Sequence, residues 1–159
     1  MSCTIEPVFV LGIDPGLSRC GYGVVEKSGR KAEAVAIGVI RTPAKAPTAE
    51  RLAWIQQEFV KLVEEHTPDV VAIERVFFQV NAKTAMGVAQ VSGLAMAIGH
   101  SAGAEVVDYT PNQVKEAVAG WGSANKEQMQ RMVQSLLGLP EIPSPPDAAD
   151  AAAVALCHL

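Results

Sequence analysis

Three β-type runs precede residue 42 in this chain, and strand and helix patterns alternate after it. That order is the strongest constraint on the fold. Val8-Phe9-Val10-Leu11-Gly12-Ile13 is an apolar run rich in β-formers, and Asp14-Pro15-Gly16 breaks it, so it reads as a central strand with a turn after it. Gly21 to Glu26 and Glu33 to Arg41 read as two further strands separated by Lys27-Ser28-Gly29-Arg30, which predicts an antiparallel meander. Pro43 to Pro47 is a connector. Thr48 then suits a helix N-cap, with Leu52, Ile55, Phe59 and Val63 at helical spacing and Pro68-Asp69 as the stop. Val70 to Ile73 is a second buried strand, ending at Glu74. Ala82 to Ala102 is apolar and rich in small residues, as in a long helix, and Glu105 to Tyr109 is another short strand.

Thr110-Pro111 pairs an N-cap with a proline at the first helical position, leading a helix to Ala119. After the loop Gly120-Trp121-Gly122-Ser123, Asn125 or Ser123 opens a helix to about Leu137. The proline-rich link Ile142 to Pro146 leads to a last helix from about Asp147. An α/β chain of this order predicts a mixed five-stranded sheet, three antiparallel strands then parallel ones, with helices on both faces. Residues 1–7 read as an N-terminal lead-in and residues 8–159 as a single domain.

Composition narrows the class. A hydrophobic share of 49% with 19% charged residues belongs to a globular chain and not a disordered one. No apolar run reaches the roughly 18 residues that a membrane helix needs, and Met1 to Pro7 lacks a secretory pattern. Cys3, Cys20 and Cys157 are too few and too scattered for a disulfide framework, and no CxxC pair points to zinc. Reduced thiols and a cytoplasmic location are therefore expected. The formal charge of −4 argues against a nucleic-acid partner. That objection weakens if several acids are metal ligands, because bound cations cancel them locally.

Four carboxylates stand where structure alone does not ask for them. Asp14 closes an apolar strand, where an Asx-turn with Pro15-Gly16 is the ordinary use. Glu74 is harder to explain, since glutamate is depleted in strands and this one ends the run Val-Val-Ala-Ile. A charge so placed needs a cation or another strong partner, and Arg75 should point to the opposite face. Asp147 and Asp150 are three apart at a helix start and so share a face, although Ser144 with Asp147 also fits a capping box. Together they form an oxygen-only set of the kind that magnesium or manganese prefers. Two such ions can support phosphodiester cleavage. Convergence of the four requires the strands ending at Asp14 and Glu74 to be neighbours.

The motifs resemble a known family. Gly12-Ile13-Asp14-Pro15-Gly16-Leu17-Ser18-Arg19-Cys20-Gly21-Tyr22-Gly23 is similar to the opening motif of the RuvC Holliday junction resolvases, and Ala72-Ile73-Glu74-Arg75-Val76-Phe77 to their second. Asn81 to Gly93, the Lys115 segment, Gly122 to Gln128 and Asp147-Ala148-Ala149-Asp150-Ala151 follow in the family's order, so the match runs from about Val8 to the end. The resemblance implies a ribonuclease H-like fold and a divalent-metal-dependent endodeoxyribonuclease. It implies symmetric nicking of four-way DNA junctions by a homodimer in recombination and repair, with a branch-migration helicase as partner. It places Asp14, Glu74, Asp147 and Asp150 at a metal site, with two Mg2+ or Mn2+ ions per site. It also assigns Phe77 to the opened junction centre and Lys115 and Lys126 to DNA phosphates. Trp121, where relatives carry a small polar residue, and Asn125, where Asp is usual, depart from the pattern.

The residues add independent expectations. Two adjacent aromatics, Phe77-Phe78, in a loop cannot both turn inward easily, so one should be available to stack on an unpaired base. The segment Ala82 to Ala102 is apolar nearly all round, so one side should meet the sheet and another a partner subunit. Competing readings are a ribonuclease acting on RNA or an RNA–DNA hybrid, a non-catalytic junction-binding scaffold, and an actin-like nucleotide-binding domain. The last is disfavoured by the absence of a Gly-x-x-x-x-Gly-Lys-Ser/Thr phosphate loop.

Overall fold

The computed structural model describes residues 5–75 and 82–159. Along these the chain forms β1 (Val8–Asp14), β2 (Arg19–Ser28), β3 (Lys31–Arg41), α1 (Thr48–His66), β4 (Val70–Glu74), α2 (Ala82–Ser101), β5 (Glu105–Tyr109), α3 (Pro111–Ala119), α4 (Lys126–Leu137) and α5 (Pro146–His158). The strands make one mixed sheet in the order β3-β2-β1-β4-β5. β1, β2 and β3 pair antiparallel, while β1 with β4 and β4 with β5 pair parallel. The expected meander is there, with β2 and β3 longer at their ends than the sequence indicated.

Alternation along the central strands sorts side chains onto two faces. Leu11, Ile13, Val71 and Ile73 join Ile55, Phe59, Val63, Val91 and Ala95 in one buried core under α1 and α2. Val10, Val70 and Ala72 face the other core, built with Val114, Val118, Met129, Val133 and the alanines of α5. Helix α5 buries Ala148, Ala149, Ala151, Ala152, Ala153, Val154 and Ala155, nearly its whole circumference, between the sheet and α3 and α4. Small residues on both sides permit this approach. A Cβ at Gly12 would lie 2.2 Å from the Ala151 carbonyl oxygen, one at Gly21 2.0 Å from that of Asp147, and one at Gly23 2.9 Å from Ala152 Cα.

Helix ends follow local chemistry with two exceptions. Thr110 with Gln113 and Asn125 with Gln128 form complete capping boxes. Asn125 thus caps as an aspartate would, because its carbonyl oxygen accepts the Gln128 N–H at 2.9 Å. Thr48, expected as an N-cap, is instead the first helical residue of α1, and extended Pro47 precedes it with no side-chain cap. Likewise α5 begins at Pro146 after an extended Pro145, again with no side-chain cap. The capping-box reading of Ser144 and Asp147 is therefore not realised, since proline's fixed φ sets the helix entry at both places. Helix α2 buries Ala85, Val91, Ala95 and Gly99 against the molecule, while Met86 (67% exposed) and Met96 (38%) face out.

Candidate metal centre

The strand register brings the acids together. Ile13 of β1 pairs with Ile73 of β4, so Asp14 and Glu74 follow side by side at the carboxyl ends of neighbouring parallel strands. Both continue the Val10–Gly12 and Val70–Ala72 alternation and face α5. On that side Gly21, which pairs with Asp14, lets the first turn of α5 descend onto the sheet. Asp147 and Asp150 then arrive one turn apart over the strand ends. One carboxylate oxygen each from Asp14, Asp147 and Asp150 lies within 4.8 Å of the others. Glu74 lies beside Asp14 and interacts with it electrostatically, but falls outside that 4.8 Å group.

Electrostatics show how crowded the cluster is. Burial pushes the Asp14 carboxyl up to about 9, and the charges of Glu74, Asp150 and Asp147 and the hydrogen bond to Glu74 reinforce it. Burial also raises Glu74, opposed by the hydrogen bond from Asp14 and by Lys126 and Lys115, with Asp150 pushing it further up. Asp150 is raised by burial, opposed by Lys126. This crowding favours the protonated form of Asp14. Two cations partly compensate: Lys126 Nζ lies 3.2 Å from Asp150 Oδ2, and Arg19 Nε lies 3.6 Å from Asp147 Oδ2. Glu74 finds no ion pair with Arg75, which points away to a two-bond pair with Asp108 at 3.0 Å. Half-buried carboxylates that must share a proton, with oxygen donors only, fit a hard divalent cation in place of that proton.

Cavities open on both sides of the cluster. One of ≈ 670 Å³ is bounded by Asp14 and Asp147 on one side and by Arg19, Arg51, Lys83 and Met86 on others. A second, of ≈ 300 Å³, is lined by Glu74, Asp150, Lys115, Asn125 and Lys126. The two lysines expected from sequence therefore sit beside the acids, on α3 and α4. Trp121, in the loop joining those helices, is 48% exposed. Phe77 lies outside the described residues. Sequence reasoning missed Arg51, which bounds the larger cavity, and gave no role to Arg19. For Arg51 the available signal was a charge next to the apolar stripe of α1, one residue before Leu52.

The chain resembles known proteins throughout this architecture. The family described as crossover junction endodeoxyribonuclease RuvC matches residues 10–158. A crossover junction endodeoxyribonuclease RuvC from Leifsonia xyli subsp. xyli is 52% identical over 150 residues, 94% of this chain and 72% of that protein. The protein of that name from Natranaerobius thermophilus is 46% identical over 151 residues, 95% of this chain and 94% of that one. Among solved structures, the Thermus thermophilus RuvC in complex with Holliday junction substrate superposes with a TM-score of 0.90 at 38% identity, covering 95% of this chain and 92% of that one. The fold is thus the ribonuclease H-like nuclease fold, an open mixed sheet with helices on both faces. With the family matched over nearly the whole chain and the acids gathered at one strand end, this protein belongs to the RuvC family of crossover junction endodeoxyribonucleases.

Proposed function

We propose that this chain is a structure-selective endonuclease that resolves four-way DNA junctions by metal-dependent nicking at Asp14, Glu74, Asp147 and Asp150. The observation that carries the reading is the convergence of Asp14, Asp147 and Asp150 within 4.8 Å, with Glu74 at the end of the strand beside Asp14. These four side chains would hold two divalent ions, Mg2+ or Mn2+. When bound, such a pair activates a water and stabilises the departing oxygen of a phosphodiester. The chain's own residues do the rest. Asp14 and Glu74, adjacent at the ends of neighbouring strands, would offer their carboxylates to the ions. Gly12, Gly21 and Gly23 fix the height of α5 over the sheet and so the spacing of the acids. Lys126, paired with Asp150 before DNA arrives, and Lys115 on the other wall of the smaller cavity meet backbone phosphates and offset the chain's net negative charge.

Phe77, three residues beyond Glu74, is assigned on sequence grounds to the opened centre of the junction, where it stacks on an unpaired base. A homodimer supplies the second cutting site that symmetric nicking requires. Its interface is the outer side of α2, where Met86 and Met96 are exposed. A branch-migration helicase is the expected partner, and the cytoplasm the expected location; no described helix is long and apolar enough to cross a membrane.

The test is mapping on a denaturing gel of nicks in a synthetic four-way junction, beside duplex DNA and an RNA–DNA hybrid. Paired, symmetric nicks in the junction alone, dependent on Mg2+ or Mn2+ and abolished by EDTA, are expected. Preferential cutting of the hybrid would favour a ribonuclease instead.

A further inference from the structure

Arg51 shares the larger cavity with Asp14 and Asp147, yet it is bonded unlike the other arginines described here in ion pairs. Arg19 meets Asp147, Arg75 meets Asp108 and Arg131 meets Glu127. Arg51 instead binds two hydroxyl groups: its Nε donates to Thr42 Oγ1 at 2.9 Å and its Nη2 to Ser18 Oγ at 2.7 Å. Among the described residues no carboxylate lies within ion-pair distance of it. Its anchor is itself built into the fold. Thr42 is only 9% exposed, donates its hydroxyl to the Leu17 carbonyl at 2.5 Å, and donates its backbone N–H to the Ser18 carbonyl at 3.1 Å.

This arrangement orients a guanidinium without neutralising it. Hydroxyls fix its direction but carry no charge, and among the described residues they engage two of its five N–H donors. A planar fork with donors to spare, facing a cavity walled by the acid cluster, matches a phosphodiester. Leu17 lines the same space and gives a sugar or base an apolar surface. We infer that Arg51 is a DNA-backbone contact that seats a phosphate of the cleaved strand in the cavity beside Asp14 and Asp147, held in position by Thr42 and Ser18. This rests on the nuclease reading above and extends it to a second cationic wall, across the acids from Lys115 and Lys126.

The experiment measures affinity for a synthetic four-way DNA junction in EDTA, where nothing is cut, as a function of salt. Each phosphate contact adds about 0.9 to the slope of log affinity against log salt. Arg51→Gln is expected to flatten the slope by that amount, so that a fourfold rise in salt weakens it about 3.5-fold less than wild type. Arg51→Lys, which keeps the charge, keeps the wild-type slope, whereas Thr42→Val, which removes the anchor, flattens it part of the way towards Arg51→Gln. A wild-type slope in folded Arg51→Gln overturns the inference, and a wild-type slope in Thr42→Val overturns the anchoring. If Arg51→Gln does not fold, labelling of the wild-type chain with an arginine-selective reagent decides: protection of Arg51 by the junction is expected, and equal labelling with and without DNA overturns the contact. A wild-type chain that binds no junction DNA overturns the nuclease reading as well, whereas normal binding with an unchanged slope removes only Arg51.

Discussion

Against the face formed by Leu11, Ile13, Val71 and Ile73, α1 and α2 pack bulky side chains, Ile55, Phe59 and Val91 among them. Against the opposite face α5 lays alanines directly on Gly12, Gly21 and Gly23. The first layer excludes water with interdigitating aliphatic groups, and its spacing can relax when one is trimmed. The second leaves backbone almost touching backbone, so its spacing has nothing to absorb an added atom. That unyielding layer is the one that carries Asp147 and Asp150 to Asp14. Both faces bury a core, but only the tight one sets the placement of the chemical groups.

The largest effect expected from this contrast is that of Gly21→Val. A Cβ there falls 2.0 Å from the Asp147 carbonyl oxygen, so the first turn of α5 must move. Nicking should drop to background even in protein that remains folded, with a stability loss of roughly 1–3 kcal/mol or more from overpacking. Wild-type nicking by this variant would break the comparison. On the other face, Phe59→Ala should cost about 3–5 kcal/mol in denaturant unfolding. Cleavage per folded molecule should nevertheless stay close to wild type. A loss of specific activity matching that of Gly21→Val would show that the two faces do not divide the work.

The acid cluster gives a smaller, pH-dependent effect. Asp14 has a folded-state value of about 9 against an ordinary 3.8. Between those limits the metal-free folded chain holds a proton that the unfolded chain has released, so stability falls as pH rises from about 4 to about 9. Thermal melts in EDTA should therefore show a declining Tm across that window. Magnesium should raise the Tm more at pH 8 than at pH 5, because it replaces the proton. A flat or rising Tm without metal would contradict the crowding described for Asp14.

The smallest effects belong to the exposed lysines. Lys126→Ala and Lys115→Ala should each flatten the salt dependence of junction binding by about 0.9, with lower nicking and little change in Tm. Unchanged slopes and activity in both would return them to solvated surface.

Much of this was legible in sequence because it is local. The apolar runs of β1 and β4 and the Thr110–Pro111 start each depend on a few neighbouring residues and appear as read, and of the two candidates Asn125 and Ser123 for the start of α4 it is Asn125 that caps. The acids stood out because Glu74 ends a run too apolar to keep a charge without a partner. What was illegible is non-local. Nothing near Thr42 announces that it will hold Leu17 and Ser18 and, through them, Arg51. The Ser144 capping pattern was present in sequence yet gave way to Pro145 and Pro146. Gly12, Gly21 and Gly23 lie inside strand runs, and only the packing of α5, far off in sequence, requires them to be glycine.

The central claim, that the four carboxylates hold the cations that cut a junction which other residues bind, is tested most directly with Asp14→Asn. Affinity for a four-way DNA junction and single-turnover nicking with Mg2+ are measured on the same nuclease-free preparation. Asparagine keeps the size of the side chain and removes its charge. The account predicts nicking at background, with junction affinity equal to wild type or tighter, because a carboxylate near phosphates is lost while the cationic contacts remain. Near-normal nicking would contradict it.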